Sequence, residues 1–243
     1  MTTNETERIR AEYARRERRL PTDHYSVFRP HVLFAHQQKT RLLLRRLVDE
    51  GLTPLDGRTI LDVGCGEGQQ LLDFVSWGAR RADLAGIDLI QMRVTRARER
   101  VGGGNADGEG GPDLRVGDAS RLPWRDATFD IVHQSTVFTS IIDRGMKSNV
   151  ASEILRVLKP GGVLIWYDFL LNNPKNPAVR GIGAREIRAL FPGCSVRLRR
   201  VTLAPPIARR LVPVSWAASL LLETLVILNT HYLAIIRKPD RLP

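Results

Sequence analysis

The sequence predicts an α/β fold in which a mostly parallel sheet carries helices on both faces. Short apolar runs of strand length alternate along the chain with segments of helical period. The first strand-like run, residues 60–63, leads into alternating glycines and then into a segment that can start a helix. Strand, glycine turn and helix in this order make the first unit of a nucleotide-binding α/β domain.

The composition is that of a soluble globular protein with a full core. The chain has 243 residues, of which 43% are hydrophobic and 26% are charged. Its two cysteines, Cys65 and Cys194, give neither a disulfide framework nor a metal-binding spacing, so we expect a cytoplasmic protein without a bound metal. The first six residues are polar and acidic, which predicts no secretory signal.

The charge of the chain is strongly basic, with 37 Lys and Arg against 26 Asp and Glu and a net charge of +11. Such a balance is typical of proteins that bind nucleic acid or anionic membranes. Nearly all the basic residues are arginines at scattered positions of predicted helices. We therefore favour a diffuse attraction to phosphate-bearing substrates or lipid headgroups over a specific nucleic-acid partner.

Two parts of unequal length are expected: residues 1–52 as an N-terminal helical cap or lid, and residues 53–243 as the ligand-binding domain. Residues 5–20 are rich in Arg and Glu and suit a solvated helix. Residues 21–38 gather aromatic and imidazole groups, and they are interpreted either as a cover over the substrate or as a packing arm. Residues 37–50 predict the next helix.

The glycine turn at residues 64–68 indicates the kind of nucleotide. A dinucleotide site uses G-x-G-x-x-G, with a pyrophosphate at the start of the following helix. Here the pattern is G-x-G-x-G, with Asp62 just before the turn and Glu67 inside it. Two carboxylates would repel a pyrophosphate at short range, but they suit a ligand with an ammonium group and ribose hydroxyls. S-adenosylmethionine is such a ligand.

The second predicted strand, residues 84–89, ends in an acidic residue, Asp88, which lies 20 positions beyond Gly68. A carboxylate at the carboxyl end of the neighbouring strand can accept hydrogen bonds from both ribose hydroxyls of an adenosine. We therefore expect Asp88 to be the principal binding residue. After a helix at residues 91–100, residues 101–112 carry six glycines and predict a surface loop.

Later strands end in further polar groups. Residues 114–119 end in Gly-Asp-Ala, and the strand at residues 131–134 ends in Gln134. An amphipathic helix at residues 148–158 leads through Leu-Lys-Pro-Gly-Gly into an apolar strand at residues 163–168. Ligands bind at the carboxyl ends of strands in open α/β sheets, so these ends are expected to meet at one site.

These motifs together resemble class I S-adenosylmethionine-dependent methyltransferases. The resemblance covers about residues 55–238 and is most specific from the glycine turn to Asp168. It implies a Rossmann-like, mostly parallel seven-stranded sheet with an antiparallel final strand, and S-adenosyl-L-methionine as the cofactor. The cofactor contacts expected from the turn, the strand ends and the resemblance are Asp62, Gly64, Cys65, Gly66, Gly68, Asp88, Leu89, Asp118, Ala119 and Gln134.

The chemistry expected of such a protein is mainly alignment, because a sulfonium methyl group is already electrophilic. A hydroxyl acceptor also needs a group that takes its proton. The candidate catalytic residues are Asp143, Asp168 and His36, with a structural or substrate-binding carboxylate as the alternative for each aspartate. The candidate substrate-binding residues are Tyr25, His31, Arg144, Lys147 and Tyr167. His133 lies within a strand and is interpreted as a core histidine.

The sequence limits the class of methyl acceptor but does not identify the acceptor. Residues 134–137 are Gln-Ser-Thr-Val and lack the Asn/Asp-Pro-Pro-aromatic motif of methyltransferases that act on base amino groups. They also lack the catalytic cysteine that methylation at the pyrimidine C5 position needs. The strand ending at residues 166–169 resembles bacterial methyltransferases of glycan and natural-product pathways. We therefore predict O-methylation of a saccharide, lipid-linked or free, or of a similar hydroxylated metabolite. C-methylation of an isoprenoid, a regulatory cofactor-binding protein and an NAD-dependent oxidoreductase remain as alternatives.

Residues 212–228 are apolar over most of their length but contain Glu223, and 17 residues are at the short limit for a bilayer span. The prediction is a core helix that packs on the sheet. Residues 205–211 add basic and apolar groups at the surface, so peripheral membrane contact stays open as an alternative.

Overall fold

The computed structural model describes residues 2–21, 23–102, 110–173 and 176–240. The predicted glycine-rich loop lies largely outside these residues. Within them, one sheet of seven strands has the order β3-β2-β1-β4-β5-β7-β6. The strands are β1 (Ile60–Val63), β2 (Leu84–Asp88), β3 (Asp113–Val116), β4 (Phe129–Ser135), β5 (Leu158–Phe169), β6 (Ser195–Leu203) and β7 (Asn229–Arg237).

The helices occupy both faces and one edge of the sheet. They are α1 (Thr2–Arg19), α2 (Pro30–Asp49), α3 (Gln69–Ser76), α4 (Gln91–Val101), α5 (Arg144–Val157), α6 (Ala184–Leu190), α7 (Pro205–Leu211) and α8 (Trp216–Thr224). Helix α2 begins at Pro30, earlier than the predicted residue 37, because proline is well tolerated at the first helical position.

The topology confirms the predicted fold class. Strands β1 to β5 pair in parallel, and β7 is antiparallel to both β5 and β6. Strand β6 therefore runs in the same direction as β5, and the carboxyl ends of both lie at the same edge as those of β1, β2 and β4. We call this the carboxyl edge. The strand order reverses between β1 and β4, which is where open α/β sheets bind their ligands.

Two apolar clusters cover the two faces of the sheet. On one face, α2, α3 and α4 contribute side chains such as Leu43 and Phe74, which belong to a cluster with Ile131 of β4. On the other face, Phe138 lies with its ring centroid 4.4 Å from that of fully buried Trp166. Helices on both faces explain why β1, β4 and the second half of β5 are buried almost continuously, without alternation.

The prediction of a single core helix at residues 212–228 is wrong. This segment contains the short helix α8, which begins after the N-cap Ser215, followed by a 3-10 turn at Val226–Leu228. It packs on the first turns of α2 and not on the centre of the sheet, since the Trp216 ring lies 5.1 Å from that of Phe34. Several of its apolar side chains remain exposed.

Candidate functional site

The carboxyl edge begins with a buried pair on adjacent strands. Asp62 of β1 stands in register with His133 of β4, and the Asp62 Oδ1 atom lies 2.7 Å from His133 Nδ1. Both side chains are buried, which agrees with the interpretation of His133 as a core histidine. The pair fixes the orientation of the Asp62 carboxylate where β1 enters the glycine turn.

The glycine turn is tightly packed at Gly64 and open at Gly66. Gly64 has φ +71, and a Cβ there would lie 2.4 Å from Val137 Cγ2, so no other residue fits without rearrangement. Gly66 has φ +53, and a Cβ there would meet nothing within 4 Å. The turn thus presents bare backbone to open space at Gly66. The Cys65 side chain is buried, and burial raises the pKa of its thiol.

Asp88 is placed where the sequence predicted it, at the end of β2 beside the turn. Its Oδ2 atom accepts the Gly66 N–H at 3.0 Å, and its Oδ1 atom accepts the Ile90 N–H at 2.9 Å. Burial raises the pKa of this carboxyl despite both hydrogen bonds. A buried carboxylate of this kind gains from further donors such as a pair of hydroxyls. Leu89 lies beside it, partly buried on the core.

Glu67 does not face the same space, which corrects the argument from two carboxylates. Its side chain pairs with two arginines of α4, Arg96 at 2.7 Å and Arg100 at 2.9 Å. The charge of Glu67 is thereby largely neutralised. The acidic character of the site comes from Asp62 near the end of β1, Asp88 at the end of β2 and Asp118 after β3.

Asp118 is held by a contact that the sequence could not reveal. Its Oδ1 atom accepts the Ser120 N–H at 2.8 Å, and its Oδ2 atom accepts the Thr6 hydroxyl of α1 at 3.1 Å. Neighbouring Ala119 is half-buried. Asp118, one of the expected cofactor contacts, is therefore held directly by the first helix of the chain.

Helix α1 crosses the carboxyl edge as a strap. Glu5 accepts the Ile142 N–H at 2.6 Å, and Arg8 donates to the Ser140 carbonyl at 2.6 Å. Ile9 is buried in the core cluster of the sheet. The expectation of a solvated helix at residues 5–20 is therefore wrong for the inner face of α1. The abundance of Arg and Glu in this segment hid one buried apolar residue and the contacts that anchor the helix.

A polar cluster under α2 was missed by the sequence reasoning. Lys39 Nζ lies 5.3 Å from the centre of the Tyr167 ring, and burial lowers its pKa, opposed by the charges of Asp62 and Asp73. It enters none of the ion pairs within the described residues. Gln70 of α3 is buried, and its Oε1 and Nε2 atoms have no hydrogen-bond partner among the described residues. Only the fold brings Lys39 close to Tyr167, Asp62 and Asp73, and we call these four residues the polar cluster.

The three catalytic candidates occupy separate places. Asp143 caps α5, since its Oδ1 atom accepts the Met146 N–H at 2.6 Å. Asp168 is buried and accepts the Thr139 hydroxyl at 2.5 Å together with the Thr139 and Phe169 amides. His36 lies 3.9 Å from Asp73 on the face of the sheet that carries Lys39. These hydrogen bonds hold both aspartates in place, and His36 is the candidate that shares helix α2 with Lys39.

The substrate-binding candidates are also dispersed. Tyr25 is exposed next to His24, and Arg144 is exposed at the start of α5. Lys147 is turned inward and pairs with Glu186 at 3.1 Å. Burial lowers the pKa of His31, a half-buried residue at the start of α2. The hydroxyl groups of Tyr167 and Thr202 share a hydrogen bond of 2.8 Å, and the Tyr167 ring stacks on His231. Tyr167 and Thr202 lie near the ends of β5 and β6, so this group is at the carboxyl edge.

Asp168 is expected to make stability depend on pH. Burial raises its pKa to about 7, so the folded state holds a proton that the unfolded state releases near pH 4. Stability therefore falls as pH rises through this window. The free energy of unfolding of the wild type should fall by about 1 to 3 kcal/mol more than that of Asp168→Asn between about pH 5 and pH 7.

Urea unfolding of both proteins at the two pH values measures this difference, whatever the absolute stability of the variant. Asp56→Asn is the control, because the Asp56 side chain is 68% exposed. Parallel pH profiles for the wild type and Asp168→Asn would show that Asp168 titrates normally.

The sequence matches a known family over the part of the chain that builds this site. Residues 61–166 match the methyltransferase domain family, and this range runs from β1 through β5. The match includes the glycine turn, Asp88, Asp118 and Gln134. The chain carries a class I S-adenosylmethionine-dependent methyltransferase domain. Its cofactor is S-adenosyl-L-methionine.

Relatives of the methyltransferase domain include enzymes with different acceptors. The chain is 32% identical over 158 residues to 27-O-demethylrifamycin SV methyltransferase of Amycolatopsis mediterranei, covering 65% of this chain and 54% of the relative. It is 34% identical over 128 residues to a sterol 24-C-methyltransferase of Gibberella zeae, covering 51% of this chain and 30% of the relative. The chain thus spans about half or less of the length of these relatives.

The fold of the methyltransferase domain recurs in solved structures. One solved structure is that of a candidate sarcosine dimethylglycine methyltransferase from Galdieria sulphuraria. It superposes on this chain with a TM-score of 0.62 at 17% identity, covering 87% of this chain and 89% of that chain. At this identity the likeness supports the architecture alone.

The residues of the methyltransferase domain fit its cofactor. Asp88 offers a carboxylate for two hydroxyls, and the open space beside Gly66 can admit a ligand against the backbone. Gln134 is fully buried at the end of β4, with its Oε1 atom on the Val137 N–H and its Nε2 atom without a partner among the described residues. Such an unpaired donor is suited to a polar ligand.

Proposed function

We propose that this protein transfers a methyl group from S-adenosylmethionine to a hydroxyl of a small molecule. The observation that carries the proposal is the convergence of Asp62, Asp88 and Asp118 around a glycine turn at the carboxyl edge. S-adenosylmethionine supplies the electrophilic methyl group when bound. The protein then has to orient the acceptor and exclude water, which can contribute about 7–11 kcal/mol to the lowering of the barrier.

A hydroxyl acceptor is supported by the polar groups on the acceptor side of the edge. Tyr167, Thr202 and His231 line the ends of β5, β6 and β7. Burial lowers the pKa of His231 to about 3, so its imidazole is neutral and can exchange hydrogen bonds with hydroxyls. The O-methyltransferase among the relatives agrees with this choice. A saccharide, free or lipid-linked, is the acceptor class that we favour.

C-methylation is the second candidate, because a sterol C-methyltransferase is also among the relatives. A carbon acceptor reacts as an alkene or a stabilised carbanion and leaves a methyl group bonded to carbon. A hydroxyl acceptor leaves a methoxy group. The two products differ in the carbon chemical shift of the transferred methyl group.

The test supplies the protein with S-adenosylmethionine carrying a carbon-13 methyl group and with panels of hydroxylated saccharides, phenols and isoprenoids. The expected result is acceptor-dependent formation of S-adenosylhomocysteine and a methoxy signal in the product. A new methyl signal on carbon would favour the second candidate. Cofactor binding without acceptor-dependent turnover on any panel would favour a regulatory protein, and binding of NAD alone would overturn the proposal.

A further inference from the structure

We propose that α7, α8 and the following turn, together with residues 23–29, form a surface that docks on an anionic lipid bilayer. We call it the docking surface. Its exposed apolar side chains include Phe28, which is 95% exposed, Ile227 at 82% and Val214 at 81%. Soluble proteins seldom gather so many large apolar side chains on one exposed patch without a partner.

The docking surface is the outer side of a well-packed unit. Its inner side is a cluster of Phe34, Leu203, Ala208 and Val212, on which Trp216 and Leu222 also pack. Helix α8 thus uses some apolar residues for the protein core, while Leu221 on its other side is 69% exposed. A helix that is apolar on both sides normally has both sides covered.

Residues 23–29 belong to the same surface. Phe34, near the start of α2, packs with Ala208 of α7, which places α7 beside the beginning of α2. The segment that carries Phe28 leads directly into α2. Within it, Asp23 is paired with Arg29 at 2.9 Å, so its charge does not repel an anionic partner.

The charges of the docking surface select a negatively charged partner. Residues 204–230 contain two arginines, Arg209 and Arg210, and a single acidic residue, Glu223. Both arginines are exposed. Burial raises the pKa of Glu223, which disfavours its negative charge, although the charges of Arg41 and Arg199 oppose this shift. Exposed apolar side chains flanked by arginines fit the headgroup region of an anionic membrane.

The docking is peripheral. Among the helices of the described residues, none has the length and apolar content to cross a bilayer. Side chains such as Phe28 and Ile227 would enter the headgroup boundary, while the sheet stays outside.

The position of the docking surface links it to the reaction. Helix α7 follows the end of β6, which lies at the carboxyl edge together with the end of β5. If the proposed function holds, a lipid-borne acceptor would therefore reach the site from the membrane side. Docking itself does not depend on the reaction.

Vesicle flotation tests the proposal with the full chain. Vesicles of phosphatidylcholine with about a third phosphatidylglycerol should bind the wild type, and vesicles of phosphatidylcholine alone should bind it at least about tenfold less. The double variant Leu221→Glu with Ile227→Glu should lose binding by at least about tenfold. Val48→Glu, which adds one such charge at a residue that is 64% exposed on the far end of α2, should bind as the wild type does.

The affinity of every variant for S-adenosylhomocysteine reports folding and separates this proposal from the proposed function. If the double variant is unfolded, Arg209→Ala with Arg210→Ala replaces it and should weaken binding to the anionic vesicles. Equal binding of the wild type and a folded variant, or no binding of the wild type, overturns the proposal. A wild-type dimer in light scattering that the same substitutions convert to a monomer would assign the surface to a second copy of the chain instead.

Discussion

Replacing Asp88 with alanine is expected to lower the affinity of the protein for S-adenosylhomocysteine by about a hundredfold or more. Hydrogen bonds to a charged acceptor contribute about 1.5–3 kcal/mol each, and two ribose hydroxyls would use this carboxylate. The same carboxylate holds the Gly66 and Ile90 amides, so its loss also loosens the glycine turn. Isothermal titration calorimetry measures the affinity.

Glu67→Gln is the matched control for this prediction. Glu67 belongs to the same turn but pairs with Arg96 and Arg100, away from Asp88. Its loss should change the affinity by less than about threefold, since exposed ion pairs contribute little. Equal losses in Asp88→Ala and Glu67→Gln would mean that the turn responds to acidic charge in general. An Asp88→Ala protein that binds as the wild type does would remove Asp88 from the site.

The parts of the site that were predictable from the sequence are local in the chain. Asp62, the glycines and Asp88 all lie at the ends of apolar runs, and parallel strands bring such ends to one edge. The alternation of strands and helices predicts a mostly parallel sheet without any knowledge of contacts. Identifying the ligand as S-adenosylmethionine also required the spacing between Gly68 and Asp88 and the resemblance to class I methyltransferases.

The parts that were not predictable depend on contacts between distant segments. The Thr6 hydroxyl reaches Asp118 across 112 positions of the chain, and nothing near Thr6 in the sequence signals that contact. Lys39 likewise approaches Tyr167 only because α2 packs on the sheet. The periodicity of a helix shows which side is apolar, but not which surface that side meets.

Residues 212–228 show a different limit. The run is apolar enough for a core helix, but Pro213 and the N-cap Ser215 shorten it, and the 3-10 turn at Val226–Leu228 ends it. The sheet is already covered by longer helices, so the segment packs at the carboxyl edge instead. The apolar composition of residues 212–228 predicted their burial. Only part of the segment is buried, because the rest of the protein leaves too little uncovered surface for it to pack on.

Lys39 is expected to bind the amino-acid end of the cofactor, and replacing it with methionine should reveal this role. The carboxylates of Asp62, Asp88 and Asp118 give the site a negative charge, whereas the amino-acid end of S-adenosylhomocysteine carries a carboxylate that needs a cation. Burial lowers the pKa of Lys39, and the nearby charge of Asp62 opposes this shift, which places Lys39 on the Asp62 side of the site. Lys39→Met should weaken S-adenosylhomocysteine binding about tenfold, as expected for one charge-assisted hydrogen bond.

A second ligand makes this prediction specific. 5′-Methylthioadenosine contains the same nucleoside without the amino-acid end, so Lys39→Met should change its affinity by less than about twofold. Arg45→Met, at an exposed position of the same helix, should leave both affinities unchanged. Equal weakening of both ligands by Lys39→Met would indicate a general effect of charge or folding. Normal binding of both ligands with a lowered kcat would instead place Lys39 beside the methyl acceptor. The comparison of the two ligands thus decides whether Lys39 contacts the cofactor or the acceptor.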